Sequence, residues 1–153
     1  MFRFKNILVP TDFSNGAAYA LNYAADMAQS MDSILHIIHV IEPVVYPADM
    51  GFSQITYVDV ENELKKSSDK KLGEITEELI QRKIKNHAEI LFGTASNRIT
   101  EYADDNDIDV ICISTHGRSG IEHLLFGSTT EMVLRRSQCP VLALRFPKKE
   151  EKD

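Results

Sequence analysis

VICISTHGRSGIEHLLFGSTTEMVLRR, residues 110–136, is the stretch that decides the fold. It opens on a β-branched apolar run, Val110, Ile111, Cys112 and Ile113, which reads as a buried strand. It then passes three glycines, Gly117, Gly120 and Gly127, and six hydroxyl residues between Ser114 and Thr130, with no lysine among them. It closes on a helix-like run from Glu131 to Arg136. Ser128, Thr129, Thr130 and Glu131 match the S/T-x-x-E capping box, so a helix is expected to begin at about Ser128. A strand thus runs through bare, hydroxyl-rich backbone into a helix.

The same alternation extends to both ends of the chain. Strands are expected over residues 4–9, 33–41, 87–92, 109–114 and 141–146, the last started by Pro140. A first helix over residues 15–29 is capped by Ser14 and shows an apolar face of Ala17, Leu21, Ala24 and Ala28. A long helix over residues 59–85 carries Val60, Leu64, Leu72, Ile75 and Leu79 on its buried side. A short one over residues 96–105 turns Ile99, Tyr102 and Ala103 inward. Between Glu42 and Thr56 lie two prolines and Gly51 without a period, which reads as a long functional or disordered loop. Five strands alternating with helices specify an α/β fold: one doubly wound, five-stranded parallel sheet with helices on both faces, in the order 3-2-1-4-5. Residues 1–147 are expected to form one domain, and residues 148–153, KKEEKD, a solvated tail.

Ligands of such sheets bind beyond the carboxyl ends of the strands. Three loops leave those ends: PTDFS after the first strand, HVIEP after the second and STHGRSG after the fourth. In the expected order the first and fourth strands are neighbours, so their loops share a crevice. A helix start at Ser128 points unpaired amides and a partial positive charge into it, which suits an anion. Gly117 and Gly127 let bare backbone turn and approach a ligand. Ser119, Ser128 and Thr129 add hydroxyl donors, giving a phosphate cradle without lysine. Asp12 is placed to accept hydrogen bonds from a ribose or a base amine, or to cap the first helix. Val40 either lies against a purine or belongs to the core. His116 either orients the loop near the phosphates or makes a structural hydrogen bond.

Bulk numbers narrow the classes. The chain has 153 residues, one domain's worth, and a net charge of -6. That charge argues against a general nucleic-acid binder, which needs a basic face. No apolar run approaches the roughly 18 residues of a membrane span, and MFRFKNILVPTD does not read as a signal peptide. Cys112 reads as a core thiol, and two cysteines make no disulfide framework. A cytoplasmic protein that binds neither nucleic acid nor membrane is expected.

At these residues the chain resembles the universal stress protein family, over nearly its whole length from KNILVPTDFS to CPVLALRF. The ATP-binding branch of that family has the pattern G-x2-G-x9-G-[ST]. Here Ser114, Gly117, Gly127 and Ser128 occupy it, so the first glycine is replaced by a small residue. The resemblance implies that Pro10, Thr11, Asp12 and Val40 hold adenine and ribose. It implies that Gly117, Arg118, Gly127, Ser128 and Thr129 surround ribose and phosphates. The implied ligand is ATP, with Mg2+ or Mn2+ carried on its phosphates. Members commonly dimerise through the last strand. Here that is the apolar edge that begins at Val141 and ends at Phe146, an aggregation hazard if left open.

Catalytic motifs are scarce. There is no G-x4-G-K-[ST], and GRSGI misses the last position of G-x-S-x-G. His36 and His39 sit three apart in a strand and face opposite sides, and His116 and His123 are too isolated to specify a zinc site. A nucleotide-binding regulatory protein of the stress response is expected, acting as a ligand-dependent dimer with an unidentified protein partner and at most weak ATP hydrolysis. Two alternatives stand beside it: a family member that binds no nucleotide and works by protein contact, and a slow ATPase.

Overall fold

A computed structural model describes residues 3–43, 54–117 and 125–147. Nine elements follow one another: β1 (Asn6–Pro10), α1 (Asn15–Met31), β2 (Ile34–Ile41), α2 (Gln54–Gln81), β3 (Asn86–Phe92), α3 (Ala95–Asp105), β4 (Val110–Ser114), α4 (Ser128–Arg136) and β5 (Val141–Leu144). The strands form one sheet in the order β3-β2-β1-β4-β5, every pairing parallel. This is the expected doubly wound α/β fold.

Alternation along the central strand divides the core. Ile7 and Val9 of β1 join Leu35 and Ile37 of β2, Cys112 of β4, and the inner faces of α1 and α2. Leu8, between them, points the other way and joins Ile38, Ile111, Ile113, the α3 residues Ile99 and Tyr102, and Val133 of α4. Both faces of the central strands are thus covered, and this is why they read as continuous apolar runs. Helix α1 lies close to the sheet because its buried face is alanine: Ala17, Ala20, Ala24, Ala25 and Ala28. Ser14 caps it as expected, its Oγ accepting from Ala17 N at 3.2 Å. Cys112 is fully buried, and burial pushes its thiol up to about 12, so it is an unreactive core residue.

Several boundaries differ from expectation: β1 begins at Asn6 rather than Phe4, and α2 ends at Gln81 rather than Lys85. Helix α2 begins at Gln54 rather than Asp59, so residues 54–56 are helix and not loop; residues 44–53 lie outside the described residues. Only the later half of its apolar stripe is covered. Leu72 and Leu79 are buried and Ile75 packs against them, but Leu64 is exposed. A helix of 28 residues is about 42 Å long and the eight-residue strand β2 about 27 Å, so the helix outruns the sheet it covers. Strand β5 ends at Leu144, two residues earlier than expected, and Phe146 packs its ring edge-on against Tyr19 of α1.

Under α3 the sheet carries an unusual polar group. His36 of β2 places Nδ1 3.0 Å from the Tyr102 hydroxyl, while its Nε2 is buried with no hydrogen-bond partner among the described residues. Its ring lies beside that of His87 on β3, whose Nε2 is 3.7 Å from Glu89. Burial, then the His87 charge, holds the pKa of His36 below its ordinary 6.5. Burial also pushes Tyr102 up to about 12, with the Glu89 charge adding to it, so the partner stays a neutral hydroxyl. The unfolded chain therefore takes up the His36 proton first. The stabilising contribution of neutral His36 is complete above pH 6.5 and is lost as pH falls below it. The melting temperature is expected to drop between about pH 7.5 and about pH 5.5, and to drop less in His36→Gln. An equal drop in the variant would remove His36 from the cause.

Candidate functional site

The strand ends converge as a parallel sheet requires. After β1 the chain turns at once. Thr11 N donates to the Ile38 carbonyl at 2.8 Å, Thr11 Oγ1 accepts from Phe13 N, and Asp12 Oδ1 accepts from Ser14 N, each at 3.0 Å. These side-chain turns hold Phe13 in the left-handed region, at φ 63°, and leave Ser14 free to cap α1. Asp12 therefore shapes the turn before the helix and does not cap it. His39 Nδ1 donates to the Thr11 carbonyl at 2.8 Å and stacks on Phe13. At the end of β2, Glu42 Oε1 accepts from Ala95 N, the first amide of α3, at 2.8 Å.

The β4 end is fastened to α4. Gly127 N donates to the Thr115 carbonyl at 2.7 Å, and Thr130 Oγ1 donates to the Ser114 carbonyl at 2.8 Å. The cap of α4 is Gly127, one residue before the expected position, and it makes no side-chain capping bond. The Ser128–Glu131 capping box is thus not formed. With Gly127 as cap, Thr130 takes the third helical position and turns its hydroxyl to Ser114, and Glu131 pairs with Arg135 at 2.9 Å. The consequence is chemical: among the described residues the first amides of α4 have no side-chain acceptor, at the end where the helix dipole is positive.

A cavity of about 350 Å³ lies between these loops. Pro10, Thr11, Asp12, Val40, Ser114, Gly117, Gly127, Ser128 and Thr129 all line it. His116 does not; its Nδ1 is 3.1 Å from Thr115 Oγ1. Arg118 and Ser119 lie outside the described residues. Reading the sequence missed Glu42 and Thr130 as lining residues, and missed the apolar floor of Ile38, Ile99 and Ile113. Ile99 was legible as an inward residue, but no sequence signal says that it reaches the ligand space. Glu42 was legible only as the start of an unread loop.

Polarity runs across the cavity in the order of the strands. Carboxylates from Glu42 and Asp12 stand at the β2 and β1 ends, while the hydroxyls and helix amides stand at the β4 end. A Cβ on Gly117 would overlap Asp12 Oδ2, so a side chain there would have to push the Asp12 carboxylate aside. Gly127 is not forced: at φ -67° its Cβ would meet the Thr115 carbonyl at an ordinary 3.5 Å. It lines the cavity nonetheless. Among the described residues no group of three His, Cys, Asp or Glu is placed to hold a metal ion, and no helix is long and apolar enough to cross a membrane.

Comparison with known proteins agrees with this architecture. The model of the universal stress protein family matches residues 3–145. Universal stress protein MJ0531 of Methanocaldococcus jannaschii is 32% identical over 150 residues, covering 96% of this chain and 85% of its own. Universal stress protein MJ0577 of the same organism is 30% identical over 154 residues, covering 93% and 95%. The solved structure of MJ0577 superposes with a TM-score of 0.84 at 27% identity, over 97% of this chain and all of its own. A universal stress protein of Archaeoglobus fulgidus solved in complex with dAMP shares the fold, with a TM-score of 0.56 at 18% identity over 93% and 98%. The chain belongs to the universal stress protein family.

Proposed function

We propose that this chain is an ATP-binding regulatory protein of the stress response, in which bound nucleotide acts as a ligand and not as a substrate in rapid turnover. The observation that carries this is the uncapped start of α4 facing a cavity of small-molecule size, with Ser128 and Thr129 hydroxyls beside it. The phosphates lie at that end, on the amides of Ser128 and Thr129 and against the bare backbone of Gly117 and Gly127. Arg118 and Ser119 stay in the assignment through the family pattern and the loop's hydroxyls. Asp12 and Thr11 face the ribose. The base lies on Val40 over the floor of Ile38 and Ile99. Like charge from Asp12 and Glu42 disfavours the reverse orientation. Mg2+ or Mn2+ rides on the phosphates, where few protein ligands are needed.

Such a cradle stabilises bound ATP about as well as its transition state, and uniform binding does not raise turnover. Bound ATP instead stabilises the fold by mass action. The second part of the proposal is a homodimer through β5. The strand is an edge of the sheet, Leu142 is exposed on it, and Phe146, partly exposed, follows two residues beyond its end. Pairing with a second copy covers that edge with closed twofold symmetry. The dimer is the surface that an unidentified protein partner reads in the cytoplasm.

Calorimetry with ATP and magnesium is expected to show one site per chain, and ATP at a hundredfold excess over its Kd to raise Tm by roughly 5–10 °C. No heat and no shift at millimolar ATP would overturn the assignment. Gly117→Ala is expected to push Asp12 aside and to weaken ATP by about tenfold in a folded protein. Turnover is expected well below the roughly 1 per second at the low end for enzymes; several per second would make the protein an ATPase. Light scattering is expected to give the mass of two chains, and Leu142→Glu to reduce it to one. A monomer at high micromolar concentration would refute the edge pairing.

A further inference from the structure

We propose that Ser114 is a positioning residue, whose hydroxyl sets the path of the chain into Gly117 and so places the phosphate end of the cavity, a role that rests on the nucleotide reading. Ser114 is the last residue of β4 and is buried. Its Oγ donates to the carbonyl of His116, two residues on, at 2.8 Å. Its own carbonyl accepts from Thr130 Oγ1 at the same distance. A side chain that bonds the backbone just beyond its own strand turns the chain out of the ladder. Ser114 therefore fixes the first turn of the loop at one end and α4 at the other.

The first turn of α1 is shaped to this clasp. A Cβ on Gly16 would stand 2.8 Å from the His116 carbonyl oxygen and 3.3 Å from Ser114 Oγ. The first distance is below any real carbon contact, and the obstacle is backbone. Glycine at position 16 is thus what lets the loop settle against α1. The His116 carbonyl is held by Ser114 on one side and bounded by Gly16 on the other. Gly117 follows directly, and a Cβ on it would overlap Asp12 Oδ2. Thr115, between them, gives its carbonyl to Gly127 N and its amide to the Leu144 carbonyl. One hydroxyl thereby registers Gly117 and Gly127 with Asp12. A glycine at position 114 supplies no such bond, so serine here is not a neutral replacement.

Ser114→Ala and Ser114→Gly remove the clasp from one side, and Gly16→Ala displaces it from the other. Two readouts separate the claim from the nucleotide reading and from a general loss of stability. In ligand-free protein, amide exchange at Gly127 and Thr115, whose N–H groups are held by the Thr115 and Leu144 carbonyls, is expected to rise about fivefold or more in the Ser114 variants. In calorimetry all three variants are expected to lose about tenfold in ATP affinity while adenosine affinity changes less than about twofold, since only the phosphate end is misplaced. Wild-type exchange at both amides overturns the clasp. Equal losses for ATP and adenosine, or none for either, overturn the positioning role. A wild-type protein that ignores ATP overturns the nucleotide reading, and the exchange measurement still judges the clasp.

Discussion

The hydroxyl of Thr130 reaches the carbonyl of Ser114 across 2.8 Å inside the protein, and the shape of the cavity depends on that bond. A parallel sheet ends in carbonyls and amides that have no further ladder partner. At the end of β4 those groups are taken up by α4: Ser114 O by the Thr130 hydroxyl, and Thr115 O by the Gly127 amide. The start of the helix is thereby pinned to the strand end. Thr130 is buried, so loss of its hydroxyl would leave the Ser114 carbonyl without its partner, at a cost of about 1–3 kcal/mol. Because Thr130 spends its hydroxyl on the strand, and Gly127 has none to offer, the helix amides remain for something else.

Charge is resolved on a scale shorter than the whole molecule. The chain carries -6 overall, yet the proposed ligand is an anion. The two facts are compatible because exposed charges are screened beyond about 8 Å at physiological salt, while a helix end acts within its first turn. The negative groups nearest the cavity, Asp12 and Glu42, are on the β1 and β2 side. Each is also tied to backbone, Asp12 to Ser14 N and Glu42 to Ala95 N. They give the cavity a direction without closing it to phosphate. Glu42 joins the end of β2 to α3, so the wall proposed for the base also fixes the helix that carries Ile99.

The strands were legible because burial on both faces leaves a plain sequence mark. Ile7, Leu8 and Val9 alternate between two cores and are all apolar. The expected strand order, 3-2-1-4-5, is the one the sheet has. Nine of the twelve site residues read from the sequence line one cavity. What failed to show in the sequence was set by partners distant along the chain. The capping box at Ser128 is a local pattern, and it lost to a contact between Thr130 and a strand end 16 residues earlier. Leu64 fits a helical stripe and yet is exposed. Gly16 falls within the helix expected over residues 15–29. Its reason is the His116 carbonyl, a hundred residues on, and nothing in a single sequence marks such an approach.

The central claim is that the space between the ends of β1, β2 and β4 and the start of α4 receives an adenine nucleotide, phosphates toward the helix. Backbone amide shifts recorded by NMR during titration with ATP test this most directly. The account predicts the largest changes at Asp12, Val40, Gly117, Ser128 and Thr129, with adenosine reproducing those at Val40 and Asp12 but not those at Ser128 and Thr129. Shifts gathered instead around the neighbouring cleft of Phe13, Ser67 and Lys71, or spread without a centre, would contradict it.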